Sequence, residues 1–596
     1  MKAEVLTLTY QERLDVTPAD VAFLKPLMAS FQKLKRTLWQ SLYGWPPTRR
    51  PADLNEFKRA FCAKHQISST AYNSIKNEVD GLFKAQRELL ETRLIEMEAK
   101  RKSVAEWLES NKAMVAKSLA KINALHEEHQ ARLLLKVAIT RKKLHHKARK
   151  LAALQRKLDK IKGQMDLGSN WSPQVAFGGK ALQNAQHDLE ANGYANHEQW
   201  LADWQFARAS AVFFLGDQGE KSRNREVKGT EALAVDLSAD TLRLRLTIPE
   251  HLRGQFDGQA NYSLSPVKLS LRTLAALREA LGTTYLKEVK KNGQITFKEM
   301  HLPLSWRIVR RLKTKSLKDG TKVTAEVYYL QCIAQKRIES YQSCSDAGAI
   351  GVDQNLDHIA VGIIDRFGNP RDSFTIPFRP SENDVQQNRA LIGAIAADIA
   401  TLAEHLGVPI VSEKLDFKRK KATLKESYGP KVNHRFSAFS YAGVANGIKT
   451  AALKRSVQYI EVNPAYSSLI SAVNYFGMRD RISSHEAACF TIARRGLHFA
   501  DFLDFSAIES QKTPSAQGEK PLPGRTELDA YMASRPTGKR GHLWGFVAQK
   551  DVRSTFKSLM EFYSGGNSWL GRSAILGDLA SPKRAALNYE ALPSTA

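Results

Sequence analysis

Residues Gly348-Ala349-Ile350-Gly351-Val352-Asp353-Gln354-Asn355 form an apolar strand that ends on a carboxylate. After a few residues Ile359-Ala360-Val361-Gly362-Ile363-Ile364-Asp365 runs back toward Gly368. Two such strands belong at the centre of a sheet. A carboxylate at the end of a buried strand is costly unless a cation or a hydrogen-bond partner stabilises it. The plain alternative is an ordinary β-hairpin, since Asp and Asn are favoured in turns.

A second carboxylate sharpens the reading. Val408-Pro409-Ile410-Val411-Ser412-Glu413 is another short apolar strand that ends on an acid. Hydrolysis of a phosphodiester by two divalent ions, about 3.5–4 Å apart, needs acids from several strands to converge on one sheet edge. Lys418, Arg419, Lys420 and Lys421 follow directly and suit a polyanion, although a solvated charge run would look the same. A third element, Ser484-His485-Glu486-Ala487-Ala488-Cys489-Phe490-Thr491-Ile492-Ala493-Arg494-Arg495-Gly496, reads as a helix with a Gly stop.

With these three segments the chain resembles the RuvC-like nucleases of the transposon-encoded TnpB (OrfB) family and the type V CRISPR effectors, which carry an RNase H-like domain. There a strand ends in G-(I/V)-D-x-N, a second ends in glutamate, and a helix opens D-x-N-A-A-x-N-I. The resemblance places Asp353, Glu413 and His485 on the three acidic positions and Ile492 on the isoleucine. It implies Asp353 and Glu413 as metal-bridging carboxylates, His485 as third ligand and Glu486 as a substitute, with Mg²⁺ or Mn²⁺ as cofactor. Histidine in place of aspartate is the departure; some RuvC-type resolvases use it there, and imidazole is a tolerable ligand. The alternative is a helix-cap histidine in a weak or inactive nuclease. Zinc is not expected. The family's four-cysteine ribbon would follow Val462-Asn463-Pro464-Ala465-Tyr466-Ser467-Ser468, but Leu469 to Ser484 holds no cysteine. Cys62, Cys332, Cys344 and Cys489 form no CxxC. A helical bridge through Ile470, Val473 and Tyr475 takes the ribbon's place.

Charge agrees with a nucleic-acid partner: +28 over 596 residues implies binding through phosphates and a strong salt dependence. Basic charge alone is shared by many classes. No apolar run is long enough for a membrane span, and the four scattered cysteines point to a reducing compartment, so a prokaryotic cytoplasm is expected and no membrane partner.

Changes of period divide the chain into a multidomain α+β protein. Residues 1–14 alternate as the first strand of a wedge β-barrel, and 15–170 read as a helical recognition lobe. Within it Val137, Leu144, Leu151 and Leu158 recur every seven residues along a basic helix. Residues 171–345 continue the wedge barrel, with alternating strands at 242–246, 304–312 and 323–333 and a turn at Lys318-Asp319-Gly320. Residues 346–505 make the RuvC-like domain, and 506–596 an extension to which no chemistry is assigned. Candidate nucleic-acid contacts are Arg141, Lys142, Lys143, Lys147, Arg149, Lys150, Arg310, Arg311, Lys418, Arg419, Lys420, Arg494 and Arg495. The function expected from the resemblance is an RNA-guided DNA endonuclease with guide RNA and double-stranded target carrying a short flanking motif. Two rivals are an RNA-guided DNA-binding repressor with a decayed centre and a guide-independent resolvase. The long helical and strand-rich regions speak against the small resolvases.

Overall fold

The computed structural model describes residues 4–121, 127–216, 233–238, 241–291, 294–316, 322–355, 358–378, 385–414, 441–475 and 482–501, with a few positions between 529 and 545. Lys418, Arg419, Lys420, the turn at 318–320 and most of the extension lie outside the described residues. The fold is mixed α/β and divides into two units, Glu4–Arg337 and the chain from Ile338 onward. Among the described residues no helix is long and apolar enough to cross a membrane.

The first unit opens with β1 (Glu4–Leu14), α1 (Pro18–Trp39), α2 (Leu54–His65), α3 (Ser69–Ala120) and α4 (Glu127–Asp166). There follow α5 (Lys180–Ala185), α6 (His197–Arg208), β2 (Ala211–Phe214), β3 (Leu233–Ser238), β4 (Thr241–Thr247) and α7 (Glu250–Arg253). It continues through β5 (Asn261–Ser263), β6 (Val267–Lys268), α8 (Leu271–Gly282), β7 (Thr284–Lys291), β8 (Gln294–His301), β9 (Leu304–Ser316) and β10 (Lys322–Ile338).

Thr17 and Asp20 form a capping box at the start of α1, with Pro18 in the first turn, where its missing N–H costs nothing. The helix then buries Phe23, Leu24, Leu27, Met28, Phe31, Leu34 and Leu38, one stripe at helical spacing. That stripe shares one core with Tyr72 and Ile75 of α3, Val212 and Phe214 of β2, and Trp306, Ile308 and Tyr328 of β9 and β10. Trp171 belongs to the same core.

The barrel expected from the alternating strands is a correction. The described strands make an open sheet in the order β1-β10-β9-β2, a separate sheet of β3, β4, β5 and β6, and a lone β7-β8 hairpin. Alternation fixes which side of a strand is buried but not whether a sheet closes on itself. Helices α3 and α4 form an antiparallel hairpin, shown by Lys162 against Glu98 and Arg101 bonded to Gln155. Its seam is built from Val104, Leu108 and Leu154, with Leu144 and Leu151 alongside.

The second unit carries β11 (Gly348–Gln354), β12 (His358–Asp365), β13 (Pro370–Pro377), α9 (Val385–Leu406), β14 (Ile410–Glu413) and α10 (Tyr441–Lys454). It closes with β15 (Tyr459–Val462), α11 (Ser467–Asn474) and α12 (Ser484–Gly496). One five-stranded sheet runs β13-β12-β11-β14-β15. The first three strands are mutually antiparallel, and β14 and β15 are parallel to β11. Ile350, Val352, Val361 and Ile410 pack against α9 and α10 on one face. Ala349, Ile364 and Val411 pack against Ala487, Phe490 and Ala493 of α12 on the other. Burial on both faces is why these strands read as continuous apolar runs.

Candidate functional site

Gly351 and Gly362 lie directly opposite each other on β11 and β12. A Cβ at Gly351 would run into the carbonyl of Cys489, and one at Gly362 would sit 2.7 Å from the Cys489 Cβ. The glycine pair therefore makes a hollow into which the backbone of α12 settles. From there two periods carry the chains in step. Asp353 lies two residues beyond Gly351 on the same face, about 6.6 Å along the strand. His485 lies four residues before Cys489, about 6 Å along the helix. The two side chains meet: His485 Nδ1 is 3.0 Å from Asp353 Oδ2. A carboxylate accepts only, so the ring carries its hydrogen on Nδ1 in this contact. Asp353 is largely shielded, with its side chain 16 % exposed, whereas the His485 side chain is 45 % exposed.

Other groups fix this carboxylate. The Asn355 side-chain amide donates to the same oxygen at 3.0 Å, and the Asn355 backbone N–H closes the turn on the His358 carbonyl at 3.0 Å. The His358 ring meets the His485 ring edge to face, with centroids 4.8 Å apart. Among the described residues these two side-chain donors both reach Oδ2.

Glu413 ends the neighbouring parallel strand. The last registered pair is Val352 with Ser412, so Asp353 and Glu413 are the next residues on adjacent strands. They share the α12 face, because Val411 packs there and side chains alternate. Ser467, buried at the start of α11, donates its hydroxyl to Glu413 Oε1 in a short hydrogen bond. Arg495 holds the loop before Ser467 by donating to the carbonyls of Asn463 at 2.5 Å and Ala465 at 2.7 Å. Burial lowers its pKa from the ordinary guanidinium value.

The candidate ligands therefore divide. Asp353, Glu413 and His485 stand at one sheet edge, yet among the described residues no three His, Cys, Asp or Glu side chains gather round a single point. Glu486 is engaged elsewhere: its carboxylate accepts from the Ser483 backbone N–H at 2.8 Å, while Ser483 Oγ accepts from the Glu486 N–H. It is the third residue of a capping box. In donor type the edge fits a hard divalent cation, with carboxylate oxygens from adjacent strand ends. His485 as seen is a partner of Asp353.

The candidate phosphate contacts divide as well. Arg141, Lys142, Lys143, Arg149 and Lys150 are exposed along α4. Lys147 is half-buried and sits over the Trp107 ring. Arg311 is exposed and lies over the Tyr329 ring. Arg310 is buried, packed on Phe206 at 4.1 Å and paired with Glu326. Arg494 donates to Asp501 and to the Gly368 carbonyl. Arg310, Arg494 and Arg495 thus each make bonds within the fold, Arg310 buried and the other two half-buried. The bridge through Ile470 and Tyr475 is helical up to Asn474, and the buried Tyr475 hydroxyl donates to Asp501 at 2.9 Å.

Sequence reasoning missed Ser467, His358 and the Gly351–Gly362 pair as parts of the site. The D-x-N spacing could have pointed to Asn355 as a brace, and the two glycines in matched strands to a close helix.

No protein-family model and no curated protein matches the chain. Among solved structures it is similar to T. thermophilus RuvC in complex with Holliday junction substrate. That match has 12% sequence identity and a TM-score of 0.19, covering 25% of this chain and 90% of that chain.

Proposed function

We propose that the second unit is a RuvC-like nuclease domain and that the protein is an RNA-guided DNA endonuclease. The observation that carries the reading is the placement of Asp353 and Glu413 as consecutive partners on adjacent parallel strand ends, beneath one helix. The sheet order, three antiparallel strands followed by two parallel ones, supports an RNase H-like arrangement. The charge of +28 supports a polyanionic partner, guide RNA and target DNA together.

Asp353 and Glu413 would hold Mg²⁺ or Mn²⁺, which when bound activates water and stabilises the leaving oxygen of a phosphodiester. The protein's own contribution is orientation. His485 and Asn355 fix Asp353 through Oδ2, and Ser467 fixes Glu413 through Oε1, as partners behind a ligand shell usually do. His485, half-buried, keeps a hydrogen on Nδ1 toward Asp353.

Plasmid cleavage by protein purified with its RNA tests this, with Mg²⁺, Mn²⁺ or EDTA. Asp353→Ala and Glu413→Ala should each lower cleavage at least about 100-fold, the size of effect expected when a group stabilising the transition state is removed. Both should keep RNA binding. Undiminished cleavage by either would sink the assignment. Sequencing of the co-purified RNA tests guidance separately.

One observation favours a second reading, guided DNA binding without cleavage: the third acidic position is histidine, and its ring is already bonded to Asp353. Wild-type protein that binds target DNA and cuts with neither metal would select it.

A further inference from the structure

The opposite end of the same two strands carries a different feature. Gly348 opens β11 and pairs with Asp365 at the end of β12. Asp353 lies five residues on from Gly348, about 17 Å along the strand. An open cleft of about 500 Å³ lies there, lined by Ser345, Asp346, Arg366, Phe367, Leu497 and Phe499.

The turn on its wall is tightly fixed. The Asp365 carboxylate accepts from the backbone N–H groups of Phe367 and Asn369, both at 2.9 Å, and from the Asn369 amide at 3.3 Å. Arg371 pairs with it at 2.8 Å. Gly368 takes φ +79°, a conformation that favours glycine, and its carbonyl accepts from Arg494 at 2.9 Å. On this fixed turn Phe367 is 61 % exposed, and the Arg366 guanidinium lies 4.6 Å from its ring centroid. Phe499, also in the lining, packs beside Gly368 and is backed by Arg494. An exposed phenyl ring on a turn with so many bonds adds little to folding. Rigid presentation lowers the ordering cost of whatever binds it.

The lining has flat apolar faces, a cation beside one of them, and a hydroxyl and a carboxylate at the edge. A nucleotide has the matching parts: an aromatic plane, an anionic phosphate and a base edge with N–H groups. We propose that this cleft is a subsite for one nucleotide of a single-stranded nucleic acid. The base stacks on Phe367, the phosphate meets Arg366, and Ser345 and Asp346 face the base edge. The inference rests on the nucleic-acid partner proposed above and does not require cleavage.

The test is fluorescence anisotropy of a labelled mixed-sequence 20-nucleotide DNA strand, with full-length protein in EDTA, across a salt series. Phe367→Ala should weaken binding about 5- to 100-fold at every salt concentration, the range for loss of one stacked base. The slope of log affinity against log salt should not change, and Phe367→Trp should restore affinity. Arg366→Gln should reduce that slope by about 0.7, one phosphate contact on a single strand. Phe367→Ala that binds like wild type overturns the subsite. So does a variant whose affinity holds while its melting temperature falls, which would mark the ring as covered by protein, including this chain's own residues beyond 501. Wild-type protein that binds no strand at all would overturn the nucleic-acid reading along with it, so the two failures are told apart.

Discussion

Two donors, the Asn355 amide and the His485 ring, meet on one oxygen of Asp353. A third carboxylate in place of His485 would put two like charges within about 3 Å, tolerable only when a cation lies between them. His485→Asp should therefore make cleavage more dependent on Mg²⁺ concentration while keeping or raising the rate at saturation, because Mg²⁺ prefers oxygen. His485→Ala should lower the rate about 10- to 100-fold, the usual effect of losing a partner behind a metal ligand. A metal titration of the cleavage rate checks both, and rates unchanged by either substitution would reduce His485 to a helix-start residue.

Asp20 sets a comparable problem away from the site. It is 2 % exposed, accepts from the hydroxyls of Tyr262 at 3.0 Å and Ser265 at 2.6 Å, and caps α1 through Thr17. Burial works against its charge, but the bonds from Ser265, Thr17 and Tyr262 outweigh it and hold the carboxyl below its ordinary range. A lowered folded-state pKa means stability present above the unfolded value and lost as pH falls through the folded one. Asp20→Asn should cost about 2 kcal/mol at neutral pH, since hydrogen bonds to charged groups contribute about 1.5–3 kcal/mol. It should also flatten the loss of stability below pH 4, read by urea unfolding at several pH values.

At the scale of elements, helix α12 owes its position to residues on the strands beneath it. Gly351→Ala should push α12 off the sheet, because the added methyl meets backbone that cannot rotate away. Overpacking of this kind costs about 1–3 kcal/mol, often more against main chain. The effect on cleavage should exceed the effect on melting, since the shift moves His485 relative to Asp353. Gly393, on α9, has nothing near its Cβ position, and Gly393→Ala makes the control. If both variants cut alike, the glycine hollow does not set the site.

Helix α4 supplies the other argument at this scale. Val137, Thr140, Leu144, Lys147, Leu151, Leu154, Leu158, Ile161 and Met165 follow each other at intervals of three and four, and all are buried or half-buried. The two positions just past the outer face of each heptad carry Lys142-Lys143, Arg149-Lys150 and Arg156-Lys157, all exposed. Between Arg132 and Lys162 the helix has twelve Lys or Arg and one Asp, whereas α3 has nine basic and eight acidic residues. The hairpin is thus basic on one helix only, with dibasic pairs about 10.5 Å apart. Changing Lys142, Lys143, Arg149 and Lys150 to Glu should lower RNA affinity at least tenfold and make binding less salt-dependent, measured by filter binding. Equal affinity would mark the face as merely solvated.

For the whole molecule, a charge of +28 repels itself in any compact state, and a bound polyanion relieves that repulsion. The protein should co-purify with RNA at moderate salt, and nuclease treatment should lower its melting temperature. RNA-free protein that is stable and active on branched DNA would favour a resolvase. The shared core of α1, α3, β2, β9 and β10 should make these elements melt together. The basic hairpin's outer half, packed only on itself, should exchange its amide hydrogens sooner.

The sequence alone determined where the three central strands of the second unit, β11, β12 and β14, lie and that they read as buried apolar runs. Apolar runs and strand ends are local properties of the chain. It also placed Asp353 and Glu413 at strand termini and the seam of α4 at heptad spacing. Tertiary structure decided the rest. Whether His485 reaches Asp353 depends on how closely α12 approaches the sheet, which a glycine pair eleven residues apart permits. An arginine in a basic stretch reads the same whether its guanidinium meets solvent or carbonyls. Only the fold buried Arg310, set Arg494 and Arg495 against backbone carbonyls, and left the dibasic pairs of α4 exposed. Open sheet rather than barrel was likewise settled by long-range pairing, because a strand's alternation carries no record of its second neighbour.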